Sequence, residues 1–194
     1  MLAGALDLTI SAGLSRTGFR DRLRDATSAA HRDLDARLSA FDLTGRRGYR
    51  RFLQASAGAL LPLEAALVEA GVAELFPDWP ARTRSAAIRS DLGRLGSAPT
   101  ACGLVSPLTR SGIMGTMYVL EGSRLGAKFL LATVASAGDP RIAEATSYLC
   151  HGAGQRLWQS FLTRLAREPS CDEDEAIDSA RAAFAAFERA ADRA

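Results

Sequence analysis

Apolar residues recur at helical spacing along most of the chain. No segment shows the alternation of apolar and polar residues followed by a turn that would indicate a β-hairpin. We therefore predict an all-α fold, with one multi-helix domain over residues 17–194 and a loose tail over residues 1–16. The first helix is predicted over 17–40, and its apolar face carries Phe19, Leu23, Ala26, Ala30 and Leu34.

Proline and glycine mark the ends of the next predicted helices. A second helix over 44–70 is followed by Gly71 as its stop, and Pro62 predicts a kink within it. Pro80 opens a third helix that Gly96 closes. The stretch that follows, SAPTACGLV, is predicted to be a loop.

The second half of the chain uses the same signals. Ser106-Pro107 resembles a helix cap followed by a first-turn proline, and it predicts a long helix to about residue 137. Gly138-Asp139-Pro140 repeats the stop and the start. The remaining predicted helices span 140–150, 153–167 and a final alanine-rich stretch, which opens with the acidic residues 172–175 where the helix dipole favours them.

Composition and charge narrow the class of protein. The 194 residues suit one domain. With 24 Lys and Arg against 22 Asp and Glu, the net charge is +2, which is too small to indicate a nucleic acid as the main partner. No apolar stretch approaches the roughly 20 residues that span a bilayer, and Asp7 interrupts the apolar N-terminus, so we expect neither a membrane span nor a secretory signal. Three widely spaced cysteines without a CxxC pair predict no disulfide framework, and we expect a reducing, cytoplasmic setting.

Four glycines share one face of the predicted helix after residue 106. Gly112, Gly115, Gly122 and Gly126 fall within an arc of roughly 40° to 80° at about 100° per residue. Each glycine inside a helix costs about 0.5–1 kcal/mol relative to alanine, so we expect something to approach the backbone closely there. Two interpretations are open: a neighbouring helix packed through small residues, or a planar ligand.

His31, one of two histidines, lies at the edge of the apolar stripe of the first helix. A histidine so placed can be an ordinary core or surface residue, or it can be a ligand. Arg24 lies two turns earlier, about 10 Å away between α-carbons, so the pair could hold an iron and a peripheral carboxylate of one porphyrin. Asp35, one turn later, is expected to accept a hydrogen bond from the other ring nitrogen.

Two segments resemble the heme oxygenase family, especially its bacterial branch. Leu23-Arg24-Asp25-Ala26-Thr27, with His31 and an acid at position 35, resembles the proximal helix of that family. The segment YVLEGSRLG, from Tyr118 to Gly126, resembles the distal helix. The resemblance extends from about residue 23 to the WQSF segment at 158–161, and the two motifs are specific in this order and spacing.

The resemblance implies a heme held between these two helices. His31 would ligate the iron, and the opposite face would meet Gly122, Ser123 and Gly126, the positions implied for catalysis. The full set of implied heme contacts is Arg24, Thr27, His31, Tyr118, Gly122, Ser123 and Gly126, with Arg24 and Tyr118 toward the propionates. Two positions depart from the family pattern: Arg124 replaces a smaller amide side chain, and Asp35 replaces a glutamate.

The implied activity is the oxidative opening of heme to biliverdin, with release of iron and carbon monoxide. It would use dioxygen and electrons from an external reductant. The chain has no flavin or iron–sulfur motif, so an acidic donor such as a ferredoxin or flavoprotein reductase is implied; Arg46-Arg47 and Arg50-Arg51 could dock it or form a solvated face. A bilin-binding photoreceptor is a candidate acceptor of the product. The alternative is a heme carrier or sensor on the same fold that lacks turnover.

Cys150 and His151 are the remaining candidates for chemistry. Their glycine-rich surroundings predict a loop, so we interpret His151 as structural or exposed rather than as the iron ligand. Thiaminase-like proteins share a related helical architecture, which would make Cys150 a candidate nucleophile, but the sequence shows no base or orienting acid near it.

Overall fold

Ten α-helices account for the regular structure of residues 18–100, 103, 105–168 and 171–194, the residues that this computed structural model describes. Those residues contain no strand, which confirms the all-α prediction. The predicted tail over 1–16 lies outside the described residues, and the domain boundary beside it stays a prediction. The helices are α1 (Phe19–Ser39), α2 (Arg46–Glu69), α3 (Val72–Leu75), α4 (Trp79–Arg82), α5 (Ser85–Arg94), α6 (Arg110–Ala135), α7 (Pro140–Glu144), α8 (Ser147–Cys150), α9 (Leu157–Arg167) and α10 (Glu173–Arg193).

The C-terminal helix α10 is the central element, and it packs against α1, α2 and α6. It begins where the acidic run predicted, because an Asp172 side-chain oxygen accepts hydrogen bonds from the N–H groups of Asp174 and Glu175 at 3.0 and 3.1 Å. Its buried face is made largely of alanine, which allows neighbouring helices to approach closely. That face comprises Ala176, Ile177, Ala180, Ala183, Phe184, Phe187, Ala190 and Ala191.

The predicted helix from Pro80 to Gly96 is wrong, because the structure divides it into α4 and α5. The buried carboxylate of Glu64 on α2 lies at the break. It accepts hydrogen bonds from the Thr83 hydroxyl at 2.5 Å, the Arg84 N–H at 2.7 Å, and the N–H and hydroxyl of Ser85 at 3.0 and 2.5 Å. A distant side chain therefore satisfies the free N–H groups at the start of α5 and ends the preceding turn.

The predicted helix over 140–150 is divided for the same physical reason. Asp91 of α5, with no exposed surface, accepts hydrogen bonds from the N–H groups of Ser147 and Tyr148 at 3.0 and 2.7 Å. These bonds start α8 at Ser147 and separate it from α7. The start signal at Pro140 is confirmed, since the Asp139 side chain accepts the N–H of Arg141 at 2.9 Å.

Two other predicted boundaries need adjustment, and a third is correct. The long helix α6 begins after Thr109, whose hydroxyl oxygen accepts the Gly112 N–H at 3.1 Å, so Ser106-Pro107 is not its cap. The helix predicted over 153–167 begins only at Leu157. Gly71 does end α2, with the left-handed φ of 77° that glycine adopts easily.

Among the described helices, α2 alone has the length and hydropathy of a membrane span. Its most apolar window is 67% buried inside the fold. Its side chains contribute much of the core, including Tyr49, Phe52, Leu53, Leu60 and Leu67. These are the properties of a core helix in a helical bundle.

Glu64→Gln should destabilise the fold, because an amide NH₂ group would replace an acceptor oxygen at the start of α5. One buried N–H would lose its partner and the others would lose a charged acceptor, so we expect the free energy of unfolding to fall by about 3 kcal/mol. Urea unfolding followed by circular dichroism measures this loss. Glu69→Gln, at an exposed position of the same helix, is the control and should change it by less than about 0.5 kcal/mol. Equal losses in both variants would contradict the role given to Glu64.

Candidate functional site

His31 stands on α1 with its side chain 63% exposed. Its Nδ1 lies 3.0 Å from a carboxylate oxygen of Asp35, one turn later on the same helix, as the spacing predicted. A carboxylate partner favours the proton on Nδ1, so Nε2 keeps the lone pair that a metal requires. The Phe184 ring of α10 lies 5.9 Å away, edge to face, and limits the orientations of the imidazole.

Two turns toward the N-terminus of α1, Arg24 lies between two carboxylates of its own helix. Its guanidinium is 3.1 Å from Asp21 and 3.0 Å from Asp25. The hydrogen bond to Asp25 and the charges of both carboxylates raise the pKa of Arg24, and its side chain is 61% exposed. The guanidinium is therefore charged and accessible to a solvent-facing anion.

Tyr118 of α6 lies close to Thr27 and to Arg24 of α1. Burial raises the pKa of its hydroxyl, while the neighbouring Thr27 hydroxyl and the guanidinium groups of Arg20 and Arg24 lower it. Its ring packs against Trp158 of α9 with centroids 5.7 Å apart. The structure thus brings together three predicted site residues, Arg24, Thr27 and Tyr118, at one end of the α1–α6 pair.

The glycine stripe of α6 divides into two halves with different surroundings. A Cβ on Gly115 would lie 1.9 Å from the backbone oxygen of Ala176 on α10, and one on Gly112 would lie 3.1 Å from the Ser179 hydroxyl. The first half therefore serves helix packing, which is the first of the two interpretations. A Cβ on Gly122 would lie 3.7 Å from the Trp158 ring, and one on Gly126 would meet nothing within 4 Å.

Gly126, at the end of the stripe, lies on an open surface that carries two large apolar side chains. Leu125 is 54% exposed and Phe129 is 78% exposed, and both flank Gly126 on α6. Large apolar side chains so exposed are unusual beside a backbone with free space over it. This surface suits a flat apolar ligand, and Leu125 and Phe129 are additional candidate contacts. Their helical spacing from Gly122 and Gly126 was the available sequence signal.

The Ser123 hydroxyl is already engaged in the structure. It donates to the Leu120 carbonyl at 2.7 Å and accepts from the Arg84 guanidinium at 3.1 Å. Its proton is therefore directed into α6 and away from the open surface. This geometry suits a positioning role for Ser123 better than proton donation.

A buried ionic cluster lies beneath this part of α6; we call Arg82, Arg84, Glu121, Arg124 and His151 the arginine cluster. Glu121 is 1% exposed and lies 3.2 Å from Arg82 and 3.0 Å from Arg124. Arg82 and Arg84 are 2% and 3% exposed. The sequence marked Arg124 as unusual but could not predict the cluster, because its members come from three separated segments.

His151 belongs to this cluster, in contacts that suit its interpretation as a structural residue. Its Nδ1 lies 3.2 Å from an Arg124 guanidinium nitrogen. Burial and the charges of Arg124 and Arg84 lower the pKa of His151, so the neutral ring is favoured. The turn that holds it contains Gly152 and Gly154 with left-handed φ values of 75° and 79°.

Comparisons with known proteins identify relatives of the chain in sequence and in fold. No family model matches the chain. The chain is 30% identical to heme oxygenase PigA of Pseudomonas aeruginosa over 182 residues, which are 88% of each protein. The chain belongs to the heme oxygenase family. Its fold also matches the crystal structure of the NO- and CO-bound heme oxygenase of Neisseria meningitidis, with a TM-score of 0.78, 24% identity and 91% of each chain covered. The family implies heme binding and the use of oxygen.

The described residues fit a heme. They contain no group of three or more His, Cys, Asp or Glu side chains that could hold a metal ion. A porphyrin supplies four nitrogen ligands itself, so one oriented histidine is sufficient. His31 is an exposed histidine oriented by Asp35, and nothing lies within 4 Å of a Cβ placed on Gly126.

The two halves of the glycine stripe should respond oppositely to alanine. Gly115→Ala forces α6 away from the α10 backbone and should cost about 1–3 kcal/mol or more, whereas Gly126→Ala enters open space and should gain up to about 1 kcal/mol of helix propensity. Thermal unfolding of the heme-free variants measures both effects. A loss of stability in Gly126→Ala as large as that in Gly115→Ala would show that the second half is also packed.

Proposed function

We propose that this heme oxygenase opens heme to biliverdin, releasing iron and carbon monoxide, with dioxygen and electrons from an external donor. One observation carries the proposal: α1 offers a histidine with Nδ1 fixed by Asp35, and α6 offers an open glycine face on the same bundle. Heme, when bound, supplies both the iron chemistry and the carbon skeleton that is oxidised. The remaining steps belong to residues of the chain.

His31 is the proposed iron ligand. The hydrogen bond from Nδ1–H to Asp35 fixes the tautomer and the orientation of the ring, as partners of ligating histidines do in metal sites. A neutral histidine leaves the opposite side of an iron free for a small ligand. Asp35 has a shorter side chain than a glutamate, but its carboxylate still reaches the imidazole. An aspartate at position 35 therefore preserves this role.

The end of the site at Tyr118 is the proposed position of the heme propionates. Arg24 and Tyr118 present a guanidinium and a phenol there, and Thr27 lies beside the Tyr118 hydroxyl. Arg20 adds a second cation one turn before Arg24. Holding both propionates at this end fixes the rotation of the heme and hence which porphyrin edge faces the reacting oxygen.

The proposed distal face is formed by Gly122, Ser123 and Gly126. The glycines keep side chains out of the space beside the reacting edge, and their backbone lines it. Because the Ser123 proton is committed to Leu120, protons for the reaction come from water in this space. None of these three positions carries an ionisable side chain. This favours oxidation of the porphyrin over the competing cleavage of the O–O bond.

Electrons come from a separate protein in this proposal. Two of the four arginines near the start of α2 have structural contacts: Arg46 binds Asp139 at 2.7 Å and Arg51 binds the Ala194 carbonyl at 2.8 Å. Arg47 and Arg50 are the residues proposed to contact an acidic ferredoxin or flavoprotein reductase. We place the reaction in the cytoplasm, with a bilin-binding photoreceptor as a candidate acceptor of the product.

Turnover with a simple reductant tests the function directly. The purified chain should bind hemin with the spectrum of a histidine ligand, and ascorbate under air should replace the Soret band by long-wavelength bilin absorption. Stable binding without bilin formation would support a carrier or sensor and overturn the proposed function.

His31→Ala should abolish the histidine-ligated spectrum while leaving the fold intact, because the side chain is 63% exposed. Free imidazole should restore that spectrum at least in part, since it can occupy the vacated position. Absorption and electron paramagnetic resonance spectra measure both results. His151→Ala is the control and should keep the ligand; the reverse pattern would assign the iron to His151.

Gly126→Leu should separate a ligand-facing glycine from a packing glycine. The heme-free fold should remain stable, because nothing lies within 4 Å of the new Cβ and leucine favours a helix by up to about 1 kcal/mol. Heme should still bind, but the side chain fills the space beside the reacting edge, so bilin formation should fall steeply. Melting temperature and turnover are measured on the same preparation. Normal turnover in a stable variant would remove Gly126 from the distal face.

A further inference from the structure

Arg124 makes more contacts than any role as a surface residue would explain. Its Nε donates to Glu121 at 3.0 Å, and a terminal nitrogen donates to the other Glu121 oxygen at 3.2 Å. That nitrogen also donates to the Arg82 carbonyl. The remaining nitrogen lies 3.2 Å from both the carbonyl oxygen and Nδ1 of His151.

These contacts fix the tautomer of His151. A guanidinium can only donate, so Nδ1 of His151 accepts and the ring proton resides on Nε2. Burial and the charges of Arg124 and Arg84 oppose protonation of this ring. Glu64 and Glu121 favour its protonation. The cluster therefore holds a neutral imidazole next to buried positive charge.

The anchored segment is the turn of α6 that carries the open glycines. Arg124 lies between Gly122 and Gly126 in the sequence, and it joins this turn to the ends of α4 and α8 through the carbonyls of Arg82 and His151. Arg84 adds a second attachment, donating to the Leu120 carbonyl at 2.9 Å. Two buried guanidinium groups thus fix one turn of helix.

We propose that Arg124 is a positioning residue for this turn, holding His151 as the neutral Nε2–H tautomer and setting where the backbone from Gly122 to Gly126 lies over the heme. The inference rests on the proposed function, in which this turn faces the reacting oxygen.

The first measurement uses the heme-free protein and nitrogen NMR of its two histidines, which His31→Ala and His151→Ala assign. In the wild type, His151 should show the Nε2–H tautomer, and its pKa should lie below the ordinary value of a histidine. In Arg124→Met, Nδ1 loses its donor, so the two tautomers should mix and the pKa should rise toward its ordinary value. Arg124→Lys keeps the charge and should retain part of the wild-type behaviour.

The second measurement is turnover of hemin with ascorbate. Arg124→Met should keep the histidine-ligated spectrum, because His31 is untouched, but turnover should fall roughly tenfold to a hundredfold as the distal turn moves. The loss should deepen below pH 6.5, where His151 becomes protonated. Arg124→Lys should be intermediate, since lysine cannot bind both Glu121 oxygens in the fork geometry of arginine. Arg156→Met, at an exposed position, is the matched control and should match the wild type in both measurements.

The outcomes distinguish the two levels of the proposal. A changed tautomer together with reduced turnover in Arg124→Met supports it. Wild-type turnover in that variant overturns it, as does an unchanged His151 tautomer. If Arg124→Met does not fold, Arg124→Lys decides by the same two measurements. If the wild type forms no bilin, the proposed function is wrong, and so is the effect of Arg124 on turnover. The NMR measurement still decides whether Arg124 fixes the tautomer of His151.

Discussion

The close contact between α6 and α10 determines the geometry of the site. At Gly115 the two backbones are so near that a Cβ would lie 1.9 Å from the Ala176 oxygen. Helix α1 packs on the same α10, so the separation of α1 from α6 is set by their shared neighbour. The alanine-rich face of α10 makes both contacts possible, because small side chains let each helix approach closely. Any change that thickens this face moves the proximal and distal segments relative to each other.

The sequence predicted the long helices well, because their signals are local. The apolar stripe of α1, the acidic cap of α10 and the stop at Gly71 each act within a few residues. The breaks in the predicted third helix and in the predicted helix over 140–150 were missed, since they depend on Glu64 and Asp91. These buried carboxylates cap helices that are 20 and 56 residues away along the chain. No local pattern could reveal such partners before the fold was known.

The candidate site divides in the same way. His31 and Asp35 interact within one turn, so their spacing was enough to predict the contact. The sequence could not divide the glycine stripe into its packed and open halves. A helix packed on α10 and an open ligand face produce the same pattern of small residues. The arginine cluster could not be predicted, since Arg82, Glu121 and His151 meet only through tertiary structure.

The glycines and the arginine cluster have complementary effects on one turn of α6: the glycines keep its face open, and the cluster fixes its position. An open face beside a reacting group requires glycine, yet each glycine weakens the helix by about 0.5–1 kcal/mol and leaves its backbone free to move. Burying charged groups is itself unfavourable unless they are paired and hydrogen-bonded. Here Glu121 pairs with Arg82 and Arg124, and further guanidinium donors bind the carbonyls of Leu120, Arg82 and His151, while Nε of Arg84 has no hydrogen-bond partner among the described residues. The cluster therefore uses buried charged groups as fixed attachments for the turn of α6 between Gly122 and Gly126.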